Sequence, residues 1–339
     1  MSDKNTVIQL VDMILSPDRP PSSLFKEVNA LADALTHLGQ YARDPLDDIA
    51  KGETRTGQGL ALSPHAAAMC ARDFVRTVQF MRGAYQAVCD QSEKLGRQVN
   101  LLYVGCGPFA LLVLPIMLRL RSQQVQVSLI DIHTDSMESA SRIIEHLGLD
   151  RHIASATVID AANYQIDRDR TPDIILLEIM QASLEKEPQI ALTRQLMRQA
   201  PDAVLIPEQI QVSLSLLNPG KEFSSPNLDQ DQSAMDRHRI HLGTIFCVNH
   251  QTIRVWEDLG ESHLPAARVQ MPFEIPNGFS AMLITTIRVY QNIEMGIYDS
   301  GLTYPRNLNV TFRAGDYLNF TYQLGASPKL VVDVETPSA

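Results

Sequence analysis

In the stretch VNLLYVGCGPFA, residues 99–110, an apolar run ends in two glycines separated by one residue. A continuous apolar run of this length marks a strand buried on both faces. Glycines at its carboxyl end permit a tight turn and let a ligand approach the backbone at the N-terminus of the following helix. Outward from it the pattern repeats: VQVSLID (125–131), ATVID (156–160), PDIILLE (172–178) and DAVLIPE (202–208) read as strands. Helical patterns begin near 108 and 134 and cover 189–199. Apolar strands alternating with helices predict an α/β fold, a doubly wound parallel sheet covered on both faces.

On the N-terminal side, residues 1 to about 97 read as helical. Leu24, Val28, Leu31, Leu35 and Leu38 recur at the three- and four-residue steps of an amphipathic helix. Pro17, Pro20 and Pro21 separate a first helix from a second, KGETRTGQGLALS (51–63) reads as a loop, and one long helical pattern runs from His65 to Lys94. Beyond Glu208 the pattern changes to β-branched and aromatic runs: QIQVSLSLL, GTIFCVN, QTIRVW, AARVQMPFEI, AMLITTIRVYQNIEM, LNVTF and YLNFTYQL. These predict an antiparallel sandwich or barrel. The segment 221–239 reads as a polar loop or short helix, and the tail ETPSA as disordered. The implied division is a helical region over 1–97, a Rossmann-like domain over 98–208 and an antiparallel domain over 209–335.

A length of 339 residues accommodates two such modules, and 45% apolar with 20% charged residues is an ordinary globular balance. A net charge of -10 disfavours nucleic acid and anionic membrane as partners. Cys70, Cys89, Cys106 and Cys247 are scattered without metal-ligand spacing, as expected of reduced thiols in a cytoplasmic protein without a metal site. The N-terminus lacks a signal-peptide pattern, and the longest apolar run, 109–118, is too short to span a bilayer.

Ligands of open α/β sheets lie beyond the carboxyl ends of the strands. The first strand ends at Gly105 and Gly107, and the second at Asp131, 24 residues after Gly107, where a carboxylate can accept both hydroxyls of a ribose. Gly105-x-Gly107-x-x-Ala110 formally fits a dinucleotide fingerprint, so a nicotinamide dehydrogenase and a methyltransferase using S-adenosylmethionine (SAM) both have this geometry. About a hundred helical residues ahead of the turn and a carboxylate-rich loop after the fourth strand favour the methyltransferase. That loop holds Glu178 and Glu187, nine positions apart, able to converge on one cation.

From His65 to Asp333 the chain resembles the protein arginine methyltransferases. Glu178-x-Met180 with Glu187 matches the double-glutamate loop of that family. Asp73-Phe-Val-Arg76-Thr77 resembles the helix preceding its sheet, and AMLITTIRVYQNIEM, LTYP, Gly315-Asp316 and Ser327-Pro328-Lys329 resemble its β-barrel in order and spacing. The resemblance implies a class I methyltransferase domain with a C-terminal β-barrel. It implies SAM as cofactor, held by Arg76 at the carboxylate, Gly105 and Gly107 at the turn, Asp131 at the ribose, and Asp160 to Asn163 near the adenine. It also implies Glu178, Met180 and Glu187 at the substrate, Glu178 and Glu187 as catalytic groups, and a homodimer.

Three positions depart from the family. Its third glycine falls at Phe109, its paired-tyrosine motif has no counterpart in TGQGLALSPH (56–65), and its Thr-His-Trp loop becomes Thr303-Tyr304-Pro305. Tyr304 is then the candidate hydroxyl partner in place of the histidine. His65 is expected at a helix N-terminus and Trp256, the single tryptophan, in packing. Without the aromatic residues that line a peptide channel, the expected substrate is a small guanidino compound, free L-arginine first, similar to the substrates of bacterial free-arginine N-methyltransferases. The alternatives are a protein arginine methyltransferase with a divergent groove, a methyltransferase of another small amine, and a catalytically silent SAM-binding protein.

Overall fold

The computed structural model describes residues 3–41, 48–223, 237–260 and 262–337. Two amphipathic helices open the chain, α1 (Asp3–Leu15) and α2 (Phe25–Leu38), and the five leucine and valine positions that predict the second are all buried. Each such side chain contributes roughly 1.5–3 kcal/mol on burial. Arg82 caps the end of the first helix, donating to the carbonyls of Ile14, Ser16 and Arg19 at 2.7–2.8 Å.

A short antiparallel hairpin follows, β1 (Thr54–Thr56) and β2 (Gly59–Ala61), where the sequence predicts a loop. Tertiary contact decides it: the Leu60 N–H donates to the Lys186 carbonyl at 2.8 Å. The predicted long helix is two, α3 (Pro64–Cys70) and α4 (Phe74–Leu95). Ser63 caps the first through Ala66 N–H at 3.0 Å, with His65 in its opening turn, and Asp73 caps the second.

The central parallel sheet comprises β3 (Val99–Val104), β4 (Val125–Asp131), β5 (Ile153–Val158), β6 (Ile174–Leu177) and β7 (Val204–Ile206). Its strand order is β5-β4-β3-β6-β7, so the order reverses between β3 and β6. The helices that cover it are α5 (Leu114–Arg119), α6 (Thr134–Leu147) and α7 (Gln189–Gln199). Val104 is in register with both Ile130 and Leu177. The next residue on each strand therefore stands at one level of the carboxyl edge: Gly105, Asp131 and Glu178.

The C-terminal part contains β8 (Gln209–Leu217), α8 (Pro219–Glu222), β9 (Arg239–Asn249), α9 (His250–Val255), β10 (His263–Gln270), β11 (Ser280–Tyr290), β12 (Ile293–Met295), β13 (Arg306–Asn307), β14 (Tyr317–Gln323) and β15 (Lys329–Glu335). Two antiparallel sheets result, β12-β11-β8-β9 with β13 on β11, and β10-β14-β15. Phe246 stacks between Trp256 and Tyr322, with ring centroids at 5.1 and 4.9 Å.

Three expectations require correction. QTIRVW (251–256) is largely α9, because Asn249 and Thr252 form a reciprocal capping box that starts a helix. LNVTF (308–312) is not a strand, since Asn309 takes φ +50° and turns the chain. Glu335 of the predicted disordered tail ends β15, while 338–339 lie outside the described residues. Of the polar segment 221–239, the start belongs to α8 and residues 224–236 also lie outside them. Among the described residues no helix is long and apolar enough to cross a membrane.

Candidate functional site

Arg76, Gly105, Gly107, Asp131, Asp160, Glu178, Met180 and Glu187, drawn from five separate segments, line one cavity of about 400 Å³. It opens at the carboxyl edge of the parallel sheet, where the strand order reverses between β3 and β6, the place such sheets bind ligands.

The glycine turn is required by its own geometry. Gly105 and Gly107 have φ of +69° and +61°, and a Cβ on Gly105 would sit 2.4 Å from Ile179 Cγ2. Asp131 braces this turn: its Oδ2 accepts from Gly107 N–H at 2.8 Å and its Oδ1 from His133 N–H at 2.9 Å. A carboxylate has further lone pairs, so both oxygens can still accept from a ligand. His133 also meets the Thr54 hydroxyl at 3.1 Å, tying the β1–β2 hairpin to this edge. Nearby, Ser136 presents a buried Oγ with no hydrogen-bond partner among the described residues. Phe109 is buried and packs edge-on against Tyr41 at 6.3 Å, so the side chain at that position joins the turn to the N-terminal region. Asp160 accepts from Ala162 N–H at 2.9 Å and lines the cavity, whereas Asn163 is exposed and lies outside the lining.

The acidic loop is not a solvated one. Glu178 and Glu187 are only 6% and 5% exposed. Arg76 forms an ion pair with Glu178 Oε2 and donates to the Cys70 carbonyl at 3.3 Å. The second oxygen of Glu178 and Oε1 of Glu187 are buried without a hydrogen-bond partner among the described residues, an expensive state for acceptors of this strength. Burial pushes the Glu187 carboxyl up to about 7, against the opposing pull of Arg76.

The loop between the two carboxylates is strained, with Ser183, Leu184 and Lys186 at φ of +60° to +65°. Strain of order 1–3 kcal/mol per residue persists only where surrounding contacts enforce it. Here Thr285 Oγ1 accepts from Ser183 N–H at 2.9 Å, and the Tyr322 hydroxyl donates to the Leu184 carbonyl at 2.7 Å. Lys186 is held on both sides, its carbonyl by Leu60 N–H and its N–H by the Pro328 carbonyl at 2.9 Å. All three anchoring regions lie outside the parallel sheet, so the hairpin and the antiparallel sheets together set the spacing of the acidic pair.

The structure does not bring Tyr304 to the cavity. Its side chain is half exposed and its ring meets Tyr298 edge-on at 5.1 Å. The neighbouring hydroxyl of Ser300 does not line the cavity either, but it caps the turn 301–303 and donates to Asp73 Oδ2 at 2.7 Å, beside the Gly301 N–H at 3.0 Å. Asp73 as the helix cap three residues before Arg76 carries the signal that finds this link. Gln189, Ser136 and Arg306 also escape sequence reading. Gln189 is fully buried, and nothing in its sequence context separates it from an ordinary helix residue.

With this geometry in view, two solved structures are similar to the chain. The Trypanosoma brucei PRMT1 enzyme–prozyme heterotetrameric complex with AdoHcy is 14% identical over 80% of this chain and 92% of that one, with a TM-score of 0.51. The fold is protein arginine methyltransferase-like. It combines an α/β Rossmann-like sheet with a separate C-terminal antiparallel region. An open conformation of Arabidopsis thaliana protein arginine methyltransferase 10 matches at 12% identity, 74% of this chain, 84% of that one and TM-score 0.47. No family model and no curated protein sequence matches the chain.

Proposed function

We propose that the protein is a SAM-dependent N-methyltransferase of a guanidino group, with free L-arginine as its substrate. The observation that carries this reading is the pair of buried, unpartnered oxygens, Glu178 Oε1 and Glu187 Oε1, in one cavity. A guanidinium is planar, permanently charged at pH 7 and offers five donors, which complements two convergent carboxylates.

The cavity residues fit the cofactor. The glycine cradle leaves no room for a Cβ at Gly105, Asp131 stands at the strand end, and Ser136 Oγ is an orphaned donor beside it. The AdoHcy in the trypanosome neighbour supports the same assignment. Arg76 would hold the carboxylate, the Gly105–Gly107 turn the backbone-facing part, Asp131 the ribose, and Asp160 the adenine end. SAM supplies an electrophilic methyl group when bound.

The remaining steps belong to the chain. Glu178, paired with Arg76, and Glu187 grip two guanidinium nitrogens and concentrate positive charge there, leaving the third nitrogen free for attack. Fixing that orientation contributes up to roughly 7–11 kcal/mol of effective molarity. Glu187, with its carboxyl raised to about 7, is matched to accept the proton that the methylated nitrogen releases. The β1–β2 hairpin, bonded to both His133 and Lys186, lines the cavity beside the acidic loop and carries no tyrosine pair to seat an extended peptide; this supports a small substrate. A homodimer is proposed by analogy with the neighbour, whose subunits assemble as a heterotetramer.

The test is mass spectrometry after incubation with SAM and either free L-arginine or an arginine-rich peptide. The expected product is methylated arginine with untouched peptide, lost in both Glu178→Gln and Glu187→Gln while AdoHcy binding remains. Methylated peptide alone overturns the small-substrate reading, and near-full turnover in both variants overturns the assignment of the acidic pair.

A further inference from the structure

We propose that Arg306 is the specificity residue at the rim of the cavity, selecting a substrate that carries a carboxylate at the end opposite its guanidinium. The inference rests on the guanidino reading above and assigns the residue by which the site would distinguish a guanidino carboxylic acid from a guanidino amine or a peptide.

Arg306 lines the same cavity as the acidic pair, yet is exposed. It opens β13, whose pairing with β11 places it opposite Leu283. Two residues along β11, Thr285 holds the Ser183 N–H of the acidic loop. One strand thus positions both the loop of Glu178 and Glu187 and the rim arginine.

The other charged groups of the lining have work to do within the protein. Arg76 is paired with Glu178, Asp73 with Ser300, Asp131 with two backbone N–H groups, and Asp160 with the Ala162 N–H. Arg306 has no hydrogen-bond or ion-pair partner among the described residues, and its guanidinium is free to meet a ligand at the rim.

The cavity is therefore polarised. Its buried end offers two unsatisfied carboxylate oxygens, and its rim offers an uncommitted cation with a fork that suits a carboxylate. A ligand with a cation at one end and an anion at the other satisfies both ends. In a peptidyl arginine the carboxylate is replaced by an amide, and in a guanidino amine it is replaced by nothing or by a second cation, so both lose the rim contact.

The experiment compares the full-length protein with Arg306→Ala and Arg306→Lys on L-arginine, L-arginine amide and agmatine. Methylated product is followed by mass spectrometry for kcat and KM, and AdoHcy binding by calorimetry. For the unaltered protein, KM for L-arginine is expected to lie roughly tenfold below that for the two substrates without a carboxylate, the worth of one charge-assisted hydrogen bond. Arg306→Ala should erase that difference by raising KM for L-arginine only, with kcat on agmatine and AdoHcy affinity unchanged, and Arg306→Lys should keep part of it. Equal KM values for L-arginine and agmatine in the unaltered protein, or an equal loss on every substrate in Arg306→Ala, overturns the role of Arg306 and leaves the guanidino reading standing. Methylation of none of the three guanidines overturns both.

Discussion

Gln189 brackets Glu178. Its side-chain Nε2 donates to the Leu177 carbonyl and its Oε1 accepts from the Ile179 N–H, both at 3.0 Å, so the backbone on either side of the glutamate is clamped by one buried amide. β6 ends at Leu177, the last residue of its register with β3. The amide takes over there and stops the acidic residue from turning with its loop.

Replacing Gln189 with Met keeps the volume and removes both bonds. Each buried backbone group left unpaired costs about 1–3 kcal/mol. The expected result is a lower melting temperature and at least roughly a tenfold loss of kcat, since a small displacement of a positioned group is enough for that. AdoHcy affinity, read by calorimetry, should change little. A variant with unchanged kcat would show that Glu178 is positioned by the Arg76 ion pair alone.

The parallel sheet was legible because burial on both faces writes it as unbroken apolar runs: VNLLYV and VQVSLID are strands to the residue. The carboxyl-edge residues followed from those ends, which is why Gly105, Asp131 and Glu178 could be named together. The hairpin at 54–61 was not legible, because its strands are too short to carry a period of two and form against Lys186. The QTIRVW helix was hidden by its β-branched residues, although Asn249 and Thr252 three positions apart held the cap that reveals it. No local pattern marks Gln189 or Arg306, since their roles arise from contacts across the fold.

Under the proposed function, Glu187 should make turnover pH-dependent. With its carboxyl at about 7, the residue is largely protonated at pH 6 and ionised at pH 8, and only the ionised form can grip a guanidinium that stays charged throughout. kcat/KM should rise with pH through about 7 and then level off, and Glu187→Gln should remove that limb along with most of the activity. The stability linkage has the opposite sense. A carboxyl raised from its ordinary 4.5 contributes stability that is complete below pH 4.5 and is lost as pH rises through about 7. Glu187→Gln should therefore gain on the unaltered protein by up to about 3 kcal/mol between pH 5 and pH 8. Urea unfolding at the two pH values checks it; a variant that gains on the unaltered protein as pH falls from 8 to 5 would reverse the assignment.

Gly105 should resist substitution for two separate reasons. Its φ of +69° disfavours any side chain, by about 1–2 kcal/mol, and the added Cβ would overlap Ile179 Cγ2 at 2.4 Å. Ile179 cannot retreat with its backbone, because its N–H is held by Gln189. Gly105→Ala is expected to weaken AdoHcy binding at least roughly tenfold, equivalent to about 1.4 kcal/mol. Adding Ile179→Ala should recover part of that loss, because it removes the overlap and leaves the backbone strain. Full recovery in the double variant would assign the whole effect to Ile179, and none would assign it to the turn itself.

Ser300 and Tyr304 separate a structural hydroxyl from an exposed one. Ser300 is buried and donates to Asp73, the cap of the helix that carries Arg76, so it ties the cavity-lining turn 301–303 to that arginine. Deleting this hydroxyl leaves a half-buried carboxylate oxygen with only the Gly301 N–H, and the loss of one such bond costs about 1 kcal/mol. Ser300→Ala should lower the melting temperature by a few degrees and reduce kcat/KM severalfold, through the placement of Arg76 and with it Glu178. Tyr304→Phe should leave both within about twofold and 0.5 kcal/mol, the ordinary range for a surface change, since its hydroxyl reaches no cavity group and its ring contact with Tyr298 is kept. The paired measurement is decisive: if Tyr304→Phe loses activity while Ser300→Ala keeps it, the hydroxyl at position 304 acts on the substrate, and the loop must then occupy a different position during turnover.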